Sequence, residues 1–180
     1  MKIIYTLFFV LCIANSVSAQ DRFLTKSGKI TFFSSSPVED IKAENNQVLS
    51  IVDYSNGDMA ISILMKSFQF DKALMQEHFN ENYVESDKFP KATFKGKIQD
   101  FENSKNTEKV TILGAITIHG VSKEITIEAN SKNTKDIIAL TGVFFIKLAD
   151  FDIAIPAVVA KNIAEEIKVS FEFNHKPYKK

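Results

Sequence analysis

Tryptophan is absent from the 180 residues, and cysteine and arginine occur once each, as Cys12 and Arg22. A single cysteine excludes an intramolecular disulfide framework and cysteine-ligated zinc. With only 6 glycines and 4 prolines the chain is neither collagen-like nor a low-complexity linker. The charge is balanced, 22 basic against 22 acidic side chains, and the lysines are scattered among acids. No positive stripe is concentrated enough to release counterions from a phosphate backbone, so nucleic acid is excluded as the expected partner. What remains is 45% hydrophobic residues, enough to build a core in one domain.

Met1 and Lys2 form a short positive head, Ile3 to Ala14 a nearly unbroken apolar stretch, and Val17-Ser18-Ala19 a small-residue site before Gln20. This pattern predicts a signal peptide over 1–19, because the apolar run is shorter than the roughly 20 residues a membrane span needs. Cys12 lies inside that run behind the bulky Leu11, a poor context for lipid attachment. A single domain over 20–180 follows, expected to be periplasmic or secreted and to have no transmembrane span. Its oligomeric state is left open.

Beyond Gln20, apolar residues recur with period two, the signature of half-buried strands. Ala92, Phe94 and Ile98 share one face, while Lys91, Thr93, Lys95, Lys97 and Gln99 share the other. Val110, Ile112, Ile116 and Ile118 alternate with polar or small residues, then Ile125, Ile127 and Ala129 do the same, predicting a hairpin that turns over Gly120 to Lys123. Ile138, Leu140, Phe144, Ile146 and Leu148 form one face, and Ile167, Val169, Phe171 and Phe173 another. Upstream, strands are expected around Ile30 and Phe32, over Val48 to Tyr54 and over Met59 to Phe70, the last two joined at Asn56-Gly57. Gly96, Gly114 and Gly142 fall within strand patterns, where bends or bulges are expected.

One helix is predicted from about Lys72 to Tyr83, with Asp71 as its N-cap and Leu74, Met75, His78 and Phe79 as an apolar stripe. Pro156 to Ala160 reads as a short helical turn or as irregular chain. Seven or eight strands with one helix and no βαβ repeat give an all-β protein. An eight-stranded antiparallel barrel is favoured, with the helix beside its mouth, and a two-sheet sandwich is the rival. Outward Lys91, Lys95 and Lys97 argue against a membrane-spanning barrel, whose lipid face would charge about 2–4 kcal/mol for each near the midplane.

Reactive constellations are scarce. His78, His119 and His175 stand apart, and no HExxH, GxSxG, P-loop or GxGxxG pattern occurs. His78 belongs to the helix stripe, His119 is expected to hydrogen-bond across its turn, and His175 in the Lys-rich tail is expected to be solvated. A proton-transfer role for His119 would need a carboxylate neighbour. Asp150-Phe151-Asp152 offers two carboxylates on one face, but hard cations want more oxygens, so a solvated turn is the expected role. No catalytic residue, metal or cofactor is assigned.

An eight-stranded barrel can be filled by side chains or can hold one small ligand. If it is hollow, alternation puts Ile61, Ile63, Met65, Phe94, Ile98, Ile112, Ile116, Ile118, Phe144, Ile146, Phe171 and Phe173 on an apolar guest. Composition does not separate the two cases.

Several segments resemble the YceI-like family of exported proteins. They are Phe89-Pro90-Lys91-Ala92-Thr93-Phe94-Lys95-Gly96 and, more specifically, Leu113-Gly114-Ala115-Ile116-Thr117-Ile118-His119-Gly120-Val121-Ser122-Lys123. Met75-Gln76-Glu77-His78-Phe79 and Leu148-Ala149-Asp150-Phe151 followed by Ile155-Pro156 are similar too. The resemblance implies a lipocalin-like barrel whose apolar tunnel binds a polyisoprenoid or quinone-type amphiphile without catalysis. Many relatives carry a histidine in the first strand, whereas none occurs here before His78. The lone arginine favours a neutral, quinone-like head over a doubly charged one. A structural or interaction module with a filled barrel is the alternative, and a lipid-acting enzyme using His119 or Asp150 is the third reading.

Overall fold

The structure is a computed structural model and describes residues 22–104, 108–134 and 136–178. The signal-peptide expectation for 1–19 lies outside the described residues. The chain runs through β1 (Arg22–Ser35), β2 (Asp40–Asp53), β3 (Asp58–Leu64), β4 (Gln69–Phe70), α1 (Ala73–His78) and β5 (Lys91–Ile98). It continues with α2 (Phe101–Ser104), β6 (Lys109–Ile118), β7 (Val121–Asn133), β8 (Ile138–Lys147) and β9 (Glu166–Pro177).

Strands pair antiparallel in the order β1-β9-β8-β7-β6-β5-β3-β2, and β1 pairs with β2 to close the ring. That closure rules out the sandwich and leaves an eight-stranded barrel without long free edges. The two-residue β4 adds only to β2, at Ala43 and Glu44. Inward side chains follow the predicted alternation: Ala92, Phe94, Ile98, Ile112, Ile116, Ile167, Val169, Phe171 and Phe173 are all buried.

The first two strands are longer than expected, because β1 and β2 form one hairpin from Arg22↔Asp53 to Ser35↔Asp40. Register shifts in β1 between Thr25 and Ile30 interrupt its pattern, which obscured the period in sequence. β3 stops at Leu64 rather than running to Phe70. Met65–Ser67 make a 3-10 turn, Met65 N–H donates to Pro90 O at 3.0 Å, and Asn45 Nδ2 donates to Leu64 O at 3.0 Å. Asn45 is fully buried and thereby holds the point where β2 changes partner from β3 to β4.

The β2–β3 turn is a longer loop in which Gly57, at φ 81, has the left-handed conformation and Asn56 does not. Gly57 N–H donates to Asp53 O at 2.8 Å, and Asn56 Oδ1 accepts from Asp58 N–H at 2.8 Å. The β6–β7 turn falls on His119-Gly120, one residue earlier than predicted. His119 at φ 50 and Gly120 at φ 79 both take the left-handed region, so Val121 already pairs with Ile118.

The predicted helix is present with its expected extent but changes type: α1 spans Ala73–His78 and continues as a π-helical turn over Phe79–Tyr83. Lys72, not Asp71, is the N-cap, and it makes no side-chain cap bond. Pro156 to Asn162 form successive turns rather than a helix. α2 was not anticipated, and its Phe101 packs edge-on against Tyr54, 5.5 Å between centroids.

β7 and β8 pair only from Ala129↔Gly142 to Asn133↔Ile138. Beyond Gly142 the two strands part, and the inward Ile125, Phe144 and Ile146 on the parted segments stay only partly buried.

Candidate ligand cavity

The two halves of the barrel differ. At one end Phe173, Leu140, Val48, Ile98 and Ile138 are at most 1% exposed and fill the interior. His175 is wholly buried there, contrary to the solvated tail expected for it. Its position continues the inward alternation of β9, two residues past Phe173. Nδ1 donates to Ile138 O at 2.9 Å and Nε2 accepts from the Ser50 hydroxyl at 2.8 Å, so the neutral ring is satisfied on both sides. Burial pushes its pKa below the ordinary histidine value.

At the other end the wall encloses a cavity of about 490 Å³ with an almost wholly apolar lining. Ile30, Ile63, Ala92, Ile116, Phe144 and Val169 form its deeper part. Above them lie Phe32, Met65, Ile118, Ile146 and Ile167, then α1 and the 156–163 segment at the mouth. Leu74, Met75, His78 and Phe79 do form a stripe, and it faces this cavity; Leu74 remains 61% exposed because the space beneath it is open. Phe32, Phe68, Phe70 and Phe79 form a cluster with centroid separations of 5.1 to 5.6 Å, which seats the π-helical turn against the wall.

Polar contacts of Lys72, Ser34 and His119 tie the segments around the mouth. Lys72 is ion-paired with Glu39, joining α1 to the β1–β2 loop. Ser34 Oγ accepts from Ala164 N–H at 2.8 Å, anchoring the segment before β9. His119 reaches two distant segments rather than only its own turn, with Nε2 2.8 Å from Glu85 Oε2 and Nδ1 3.1 Å from Phe151 O. Both partners are acceptors, so each contact is a hydrogen bond donated by the ring nitrogen that faces it. The hydrogen bond from His119 holds the Glu85 carboxyl below the ordinary range, with Lys88 adding to it. Glu85 thus supplies the carboxylate neighbour that a proton-transfer role requires. With both ring nitrogens engaged, and His119 outside the cavity lining, the pair acts as a latch between loops.

Asp150 and Asp152 are exposed around the buried Phe151, and Asp152 is left-handed at φ 54. Among the described residues no group of three or more His, Cys, Asp or Glu could hold a metal ion. No helix among them is long and apolar enough to cross a membrane.

Of the twelve residues singled out by alternation, Ile63, Met65, Ile116, Ile118, Phe144 and Ile146 line the cavity. Ile61, Phe94, Ile112, Phe171 and Phe173 lie beneath it, around a second space of about 40 Å³. Ile98 faces neither space; it is 1% exposed in the filled half. Sequence reasoning missed Phe32, Phe68, Phe70 and the mouth residues Val159 and Ile163. Phe68 and Phe70 carried a period-two signal, whereas Val159 and Ile163 lie in irregular chain with no period to read.

The YceI-like domain family model matches residues 13–175. The chain belongs to the YceI-like family. A comparison with curated proteins finds no match. The YceI-like domain is similar in fold to a polyisoprenoid binding domain from Saccharophagus degradans implicated in plant cell wall breakdown, with TM-score 0.75 and 15% identity over 88% of this chain and 99% of that one. It is similar also to Burkholderia cenocepacia BcnA, with TM-score 0.70 and 17% identity over 82% and 95% of the two chains. The Campylobacter jejuni YceI protein gives TM-score 0.65 and 19% identity over 78% and 87%.

Proposed function

We propose that this YceI-like domain holds one long-chain apolar molecule in the mouth half of its barrel and sequesters or carries it without catalysis. The guest is a polyisoprenoid, a quinone or a fatty-acid-like lipid, and the protein works in the periplasm or outside the cell. The cavity of about 490 Å³ carries this reading, since it lies within the 300–1,000 Å³ range typical of small-molecule sites and its walls are hydrocarbon. Each buried Å² of guest gains about 25 cal/mol. The Saccharophagus neighbour, described as polyisoprenoid binding, supports the same class.

The mouth offers Ser34, His78, Tyr83 and Asn162, and Lys72 is already paired with Glu39. Hydroxyl, imidazole and amide groups suit an uncharged head of quinone or phenol type, and with Lys72 already paired the mouth offers less to a pyrophosphate. The alternative of a filled barrel fits only the end around His175.

Native mass spectrometry and solvent extraction of gently purified protein test the proposal. A released apolar molecule, or uptake of isoprenoids or fatty acids by the emptied protein, is expected. An empty protein that takes up none of them removes the carrier function.

A further inference from the structure

The cavity ends on aromatic rings seated over glycines. Gly96 and Gly114 stand directly opposite each other in β5 and β6, and Phe94 lies across both. A Cβ on Gly96 would come within 2.6 Å of Phe94 Cζ, and one on Gly114 within 2.7 Å. Phe171 occupies the space over Gly142 at 2.6 Å, and Phe173 that over Gly28 at 2.6 Å. Phe171 and Phe173 stack on each other with centroids 5.2 Å apart. Beyond the rings Leu140, Val48 and His175 are 0% exposed, and the gap among the rings themselves is about 40 Å³.

The space above the rings is finite. An apolar cavity of about 150 Å³ takes one benzene, about 25 Å³ per carbon. On that scale the 490 Å³ above the rings takes about 20 carbons, or about four isoprene units. The 40 Å³ among them takes fewer than about two carbons.

We propose that Phe94, Phe171 and Phe173 are a chain-length stop, which makes this barrel selective for amphiphiles with an apolar chain of about four isoprene units. A longer chain enters to the same depth and leaves its surplus outside the mouth. The proposal rests on the carrier function above and adds its length limit.

Displacement of bound N-phenylnaphthylamine by geraniol, farnesol, geranylgeraniol, geranylfarnesol and solanesol measures the limit. Affinity is expected to rise at least about tenfold per added unit as far as geranylgeraniol and then to level off. Phe171→Ala removes one ring, making room for about one further isoprene unit, so geranylfarnesol should gain about tenfold over the unmodified protein. Ile116→Phe takes up about one carbon's worth of the cavity just above the stop and should shrink the affinity gain from farnesol to geranylgeraniol. Continued tightening through solanesol in the unmodified protein overturns the stop, as does a length profile that Phe171→Ala leaves unchanged. If Phe171→Ala loses its cooperative melt, Ile116→Phe decides by the same profile. Displacement by none of the alcohols overturns the carrier function itself, a result distinct from binding without a length limit.

Discussion

His175 and Ser50 meet in the filled half of the barrel, 125 residues apart in sequence, with the serine hydroxyl donating to Nε2 at 2.8 Å. Burial favours the neutral imidazole, and in that form Nδ1 donates to Ile138 O while Nε2 accepts from the Ser50 hydroxyl, so no polar atom of the ring lacks a partner. The buried pKa is lowered, so the unfolded chain takes up the proton first. Stability should therefore be constant above the ordinary histidine value of about 6.5 and fall as pH drops below it, until the lowered native value is reached. Urea midpoints between about pH 8 and about pH 5 read this slope, and His175→Gln should flatten it. An unchanged slope in the variant would mean that other groups titrate there.

Gly114 has no room for a side chain, since an added Cβ would meet Gly96 Cα at 2.5 Å as well as the Phe94 ring. Gly114→Ala is expected to cost about 1–3 kcal/mol through forced displacement of the ring or of strand β5. Chemical denaturation measures it. A neutral result would show that β5 and the ring yield at little cost.

Asn45 donates to Leu64 O at 3.0 Å and accepts from Gln47 N–H at 2.9 Å while wholly buried. Asn45→Ala leaves both backbone groups unsatisfied and should cost about 2–3 kcal/mol in unfolding free energy. The adjacent Asn46 is exposed, and its replacement by alanine should stay within about 0.5 kcal/mol.

The His119–Glu85 pair ties the chain before β5 to the β6–β7 turn. Because the hydrogen bond from His119 lowers the Glu85 pKa, its contribution is present above the ordinary carboxylate range and is lost as pH falls through the lowered value. Glu85→Gln should leave the melting temperature nearly unchanged and speed amide exchange over residues 85–89 and 148–153. Unaltered exchange at both segments would show that the contact does not hold them.

Period-two alternation sufficed for the barrel staves from Lys91 to Phe173, because inward positions tolerate only apolar atoms and outward ones face water. It was less legible in β1 and β2, where the register shifts around Gly28 break the period. The strand glycines show a different limit: Gly96 and Gly114 pair without a register shift and serve as seats for Phe94. A missing side chain is visible in sequence, but the ring that occupies its place is not.

By itself, then, the sequence determined an antiparallel all-β domain, the identity of most inward side chains and the exclusion of an intramolecular disulfide framework. Periodicity and residue type are local properties that survive in one dimension. Only the tertiary structure decided which inward residues enclose space and which fill it. Ile116 and Ile98 read alike along their strands, yet one borders a cavity of about 490 Å³ and the other is packed in the filled half. The difference lies in what stands across the barrel from each, and those neighbours are brought in by closure of β1 on β2 and by residues far away in the chain.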